Sequence, residues 1–65
     1  MNIAEIHESL VNGQRQQMVE QINDYGLYDF FSDYEDYLNT LYANESSEYA
    51  YFREAVTSYH RITNR

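Results

Sequence analysis

Leu27, Phe30, Phe31, Tyr34, Leu38, Leu41 and Tyr42 recur at spacings of three and four residues. This is the i, i+3, i+4, i+7 period of a helix with one buried stripe. The rest of the chain fits the same rule, because proline is absent and the two glycines fall at breaks in the apolar pattern. Asn2 can cap a first helix whose Ile3, Ile6 and Leu10 share a face, with His7 at its edge. Asn12-Gly13 then interrupts. Continued through that point, a helix would carry Met18, Val19 and Ile22 roughly a third of a turn off the first stripe. The slip implies a true break, with Asn12 capping a second helix that ends near Tyr25-Gly26. Asn44 is the expected stop of the third helix, and Ser46 or Ser47 the cap of a fourth with Phe52, Ala55, Val56, Tyr59 and Ile62 inward. Arg61 and Arg65 near its end suit the helix dipole. The expected fold is all-α: a compact bundle of three to four short helices over roughly residues 3–11, 13–25, 28–43 and 47–62.

At 65 residues the chain is expected to form one small helical domain. Its aliphatic supply is thin, so tyrosine must furnish part of the core, and a homodimer weighs equally with a monomer because it buries more apolar area. Without cysteine there is no disulfide, no zinc thiolate and no sulfur nucleophile. The first twenty residues hold Glu5 and Glu8 and no apolar run, which excludes a signal peptide, and no later stretch is long enough to span a bilayer. A cytoplasmic protein is the expectation.

Charge is the second constraint. Eleven acids against four arginines give a net charge of −7, which repels phosphate backbones and anionic lipids and disfavours direct binding of nucleic acid or membrane. Between Arg15 and Arg53 there is no Lys, Arg or His, yet Glu20, Asp24, Asp29, Asp33, Glu35, Asp36, Glu45 and Glu48 all lie there. Asp29, Asp33 and Asp36 project opposite the Leu/Phe stripe as one ridge, with Asp29 and Asp33 about 6 Å apart along the axis. Glu20 and Asp24 fall opposite Met18, Val19 and Ile22. Like charges at i, i+4 cost a helix a few tenths of a kcal/mol each, and ordinary solvated faces interleave lysine. These five carboxylates have no structural role that the sequence assigns. They are either a plain solvated face or a surface for a basic partner. Small acidic inhibitors of restriction enzymes and other defence nucleases work by occupying Lys/Arg sites that take phosphates, and the chain resembles them in charge and size only. Chains of this kind are common on phages and plasmids, which suggests a mobile-element origin.

Seven of the eight tyrosines lie in the cation-free stretch. Tyr34, Tyr42 and Tyr59 fall on inward faces. Tyr28, Tyr37 and Tyr51 project about a quarter turn away and are expected to be partly exposed, so Tyr28 and Tyr37 are candidate aromatic anchors for a partner. Alternatively they only widen the apolar face. The sequence carries no catalytic or metal-binding constellation. Asp33, Glu35 and Asp36 do not converge on a helix, no calcium-loop spacing occurs, and His7 and His60 lack a neighbouring ligand at i+3 or i+4. No phosphate loop or nucleophile elbow is present. His7 and His60 read as boundary residues, and Arg15 as the partner of Glu5 or Glu8 in a salt bridge. The expectation is a non-enzymatic protein with no metal and no cofactor. It binds a basic, nucleic-acid-binding protein through Glu20, Asp24, Asp29, Asp33, Asp36, Tyr28 and Tyr37, as an inhibitor or DNA mimic. The alternative is a homo-oligomerising structural or adaptor module whose charge serves only solubility.

Overall fold

A computed structural model describes residues 2–43 and 45–64, of which the expected stop Asn44 and the terminal Arg65 are not part. Of the described residues, 87% are helical. Among the described residues four helices follow one another: α1 (Ile3–Val11), α2 (Arg15–Tyr25), α3 (Leu27–Tyr42) and α4 (Ser46–Thr63). Asn2 caps α1, its side-chain oxygen accepting the Glu5 N–H at 3.0 Å.

Asn12 ends α1 rather than starting α2. The Gln14 N–H donates to Ser9 and the Gly13 N–H to Leu10, a Schellman closure with Gly13 at φ +78° in the left-handed region. Two residues are consumed by that closure, so α2 begins at Arg15 with Gln14 before it and no side-chain cap. Gly26 serves both neighbours: its N–H closes α2 on Ile22, and its carbonyl accepts the first bond of α3 from Phe30. At φ +110° it occupies a conformation that side chains rarely adopt. Neither Ser46 nor Ser47 caps α4; Glu45 precedes the helix in extended conformation without a side-chain bond. Ala43 closes α3 in the left-handed region, at φ 50°.

Each helix buries part of the predicted stripe. Ile6 and Leu10 of α1, Met18, Val19 and Ile22 of α2, Phe30, Tyr34 and Leu38 of α3 and Ala55 of α4 form one core. Phe52, Val56, Tyr59 and Ile62 of α4 are only half-buried, and Leu41, expected inward, is 52% exposed in the last turn of α3. There Tyr42 turns to α1 instead. α2 and α3 each pack on the other three helices, whereas α1 and α4 approach mainly through side chains. The result is a body of 33 × 20 × 20 Å. No helix among the described residues is long and apolar enough to cross a membrane.

Where α1, α3 and α4 meet, His7 is buried rather than at a boundary. Its Nδ1 lies 2.7 Å from the Tyr34 hydroxyl and its Nε2 3.0 Å from that of Tyr42. Tyr34 is wholly buried, and its hydroxyl has no other partner among the described residues, so it donates to Nδ1. The Nε2–H then donates to Tyr42. Rings of Tyr37 and Tyr51 close the cage at centroid distances of 5.6 and 5.0 Å. Burial holds the His7 pKa below its ordinary 6.5 and the Tyr34 phenol well above its ordinary 10.0. This is where the surplus of tyrosine goes.

Candidate functional site

The outward faces of α2 and α3 follow from their inward ones. With Met18, Val19 and Ile22 turned to the core, Glu20 and Asp24 can only point out, and both are exposed. With Phe30, Tyr34 and Leu38 inward, Asp29, Asp33 and Asp36 are likewise exposed. The two helices are packed neighbours. Among the described residues one ion pair forms, Arg15 to Glu54 at 2.7 Å, and it joins α2 to α4 away from these five carboxylates. None of the five has a cation within 4.0 Å among the described residues.

That ion pair corrects the expected link from Arg15 to Glu5 or Glu8. Those two acids line a polar hollow of about 320 Å³ with Gln14, Gln17 and Gln21, on the flank of α2 that faces α1. Arg15 is on the α4 flank, where its Nε also donates to Ser58 at 3.2 Å. The guanidinium hydrogen bond holds the Glu54 carboxyl below its ordinary range, although both side chains are nearly half exposed and solvent screens the pair.

The five carboxylates are not equivalent. Asp33 accepts a hydrogen bond from the Tyr25 hydroxyl at 2.6 Å, which ties the last residue of α2 to the second turn of α3. That bond, with smaller contributions from burial and the charges of Asp33 and Asp29, pushes the Tyr25 phenol pKa up. Asp29 sits in the first turn of α3, where the helix dipole favours an anion, and its carboxylate lies over Gly26. Asp29 and Asp33 therefore do have structural roles, contrary to the sequence expectation. Glu20, Asp24 and Asp36 make no side-chain hydrogen bond or ion pair among the described residues. Asp24, at the end of the α2 row, immediately precedes Tyr25, whose hydroxyl binds Asp33 of the α3 row.

The two candidate anchors part company. Tyr28 is 88% exposed and stands at a groove shared with α4. Tyr37 is half-buried on the other flank of α3, edge-on to His7 of α1 and stacked on Tyr34. They are not a pair on one surface. Tyr51 is similarly taken up by His7, at the cage wall.

His7 with its two hydroxyl partners is the residue set that sequence reasoning missed. The signal was there in an imidazole beside an apolar face, in a chain with more tyrosines than exposed positions need. Both ring nitrogens are occupied, and none of the principal surface hollows is lined by His7, Tyr34 or Tyr42. The cage holds helices together. No group of three or more His, Asp or Glu among the described residues is placed to hold a metal ion.

The chain matches no protein-family model, no curated protein and no solved structure.

Proposed function

We propose that this is a small, non-enzymatic, acidic binding protein. It engages a basic protein partner, one that itself binds nucleic acid, through the outer faces of α2 and α3. The observation that carries the reading is a set of five exposed carboxylates on two packed helices with no cation in reach among the described residues. Leaving charge uncompensated opposes the compact state, so its retention is best explained by an external cation. Asp29 and Asp33 are separated by about 6 Å along the α3 axis, a spacing at which carboxylates can take Lys or Arg side chains that otherwise hold phosphates. Action as an inhibitor or DNA mimic follows from that chemistry. Glu20, Asp24 and Asp36 are the core of this surface because among the described residues they make no side-chain hydrogen bond or ion pair. Asp29 and Asp33 extend it, Tyr28 offers an exposed aromatic beside it, and Tyr37 contributes only its free edge. A cysteine-free composition fits a cytoplasmic setting, and size and charge fit a phage or plasmid origin.

The test is capture of partners from the native host by the wild type and by Glu20→Gln/Asp24→Asn/Asp36→Asn. A basic protein held by the wild type at low salt, released at high salt and not held by the variant is the expected result. Equal capture by both, insensitive to salt, refutes the reading.

A further inference from the structure

α3 and α4 leave an open groove between them that α1 and α2 do not enter. Two hollows lie between the helices, and a third, lined by α4 alone, adjoins them at Phe52 and Val56. The widest, about 410 Å³, lies by Tyr28 and Phe31 of α3 and Val56 of α4. Two smaller ones, about 250 Å³ each, flank Tyr49, with Phe52 lining both. From Glu48 to Asn64 the α4 wall runs about 24 Å. Tyr28 and Tyr49, the two most exposed large apolar side chains of the described residues at 88% and 70%, stand along it. Exposed aromatic area of this kind on a small domain marks an interaction surface.

Charge selects the occupant. Glu35 and Glu48 border the hollow on one side of Tyr49, and Arg53 borders the hollow on the other. Arg53 is exposed and has no carboxylate within 4.0 Å among the described residues. A purely basic helix laid in the groove would meet Arg53, and a purely acidic one would meet Glu35 and Glu48. The fitting surface is apolar at its centre and carries both signs in the reverse order. This chain presents that surface to itself. Glu48 and Arg53 are separated by five residues, about 7.5 Å along α4. A two-fold axis crossing α4 between them brings each acid opposite the other copy's arginine and sets each Tyr49 beside the other copy's Phe52. Such an isologous contact closes on itself.

We infer that the α3–α4 groove is the docking surface for a second copy of this chain, forming a two-fold dimer with the Glu35/Glu48 side of each protomer on the Arg53 side of the other. This goes beyond the acidic-face reading and does not depend on it.

Sedimentation velocity over about 1 µM to about 1 mM tests it, with circular dichroism confirming that each variant keeps its helices. The wild type is expected to pass reversibly from monomer to dimer. Arg53→Glu and Glu35→Arg, both at exposed positions, are each expected to raise the dissociation constant about tenfold or more, because each sets like charges face to face. Combining them in one chain restores opposite signs between positions 35 and 53 across the axis but leaves Glu48 facing the reversed position 53, so the double variant is expected to regain part of the lost affinity, binding at least about threefold tighter than Arg53→Glu alone. A wild type that stays monomeric at every concentration overturns the inference, including the case in which a foreign peptide fills the groove. So does a dimer that ignores Arg53→Glu, or a double variant that binds no tighter than Arg53→Glu alone. All three outcomes leave salt-dependent capture by Glu20, Asp24 and Asp36 intact, which keeps the two readings separable.

Discussion

On its inner face α3 carries Phe30, Tyr34 and Leu38, none of which reaches solvent, while its outer face carries Asp29, Asp33 and Asp36, all of which do. Inside, each buried polar side-chain atom among the described residues has a partner, down to both nitrogens of His7. Outside, charge is left without a counter-charge. The inner face is what folding requires, since a buried group without a hydrogen bond costs about 1–3 kcal/mol. The outer face departs from what folding favours, and that departure is where a function external to the chain belongs. Substitutions on the two faces should therefore differ in size and also in sign.

The largest effect is expected inside. Tyr34→Ala removes a wholly buried ring that stacks on Phe30 and Phe52, a loss of about 3–5 kcal/mol. A domain of this size has little more than that to lose, so urea titration should find the variant largely unfolded. Tyr34→Phe keeps the stacking and deletes only the donor to His7 Nδ1, and its unfolding midpoint should fall by the equivalent of about 1–3 kcal/mol. A midpoint equal to that of the wild type would show that the cage polar groups contribute nothing.

Acid should reach the same cage. The folded-state pKa of His7 lies below 6.5 because burial disfavours the cation. Below that pH the unfolded chain takes up a proton more readily than the folded one, so stability present above pH 6.5 is lost as pH falls toward the folded pKa. Urea midpoints taken between about pH 7.5 and pH 5, above the carboxylate range, should decline on the acid side. His7→Asn should remove that decline while lowering stability at every pH. A wild-type midpoint that is flat over this window would contradict the buried placement of His7.

Backbone positions give smaller shifts. Gly13→Ala meets no atom within 4 Å, so its cost is the left-handed φ alone, about 1–2 kcal/mol. Ala43 already bears such a cost at φ 50°, and Ala43→Gly should raise the thermal midpoint, by the equivalent of up to about 1 kcal/mol. If both substitutions move stability in the same direction, the helix ends described for α1 and α3 are wrong.

The helices and their inward faces were legible because an apolar period and two glycines are local signals. Phe30, Tyr34 and Leu38 could be placed from spacing alone, and so could the outward positions of Glu20, Asp24, Asp29, Asp33 and Asp36. What could not be read depended on which helices meet. Arg15 could be assigned to the flanking Glu5 or Glu8 only by proximity in sequence; its partner Glu54 lies thirty-nine residues on, across the α2–α4 contact. His7 acquired its role from Tyr34 and Tyr42 on another helix. Tyr28 and Tyr37 had the same apparent standing until α4 and α1 took opposite flanks of α3. Asn12 differs for a local reason: the Schellman closure around Gly13 assigns it to the helix before rather than the helix after, which its residue type does not reveal.

The smallest stability effect is the most informative one. Glu20→Gln/Asp24→Asn/Asp36→Asn removes the three outer carboxylates that make no hydrogen bond or ion pair among the described residues and leaves those of Asp29, over Gly26, and Asp33, bonded to Tyr25. If the outer face is held for a partner rather than for folding, relieving like-charge repulsion should leave the urea midpoint of the triple variant at or above that of the wild type, by a few tenths of a kcal/mol per site. A midpoint lowered by about 1 kcal/mol or more would mean that these carboxylates hold the bundle together, and it would contradict the separation of a folding face from a binding face.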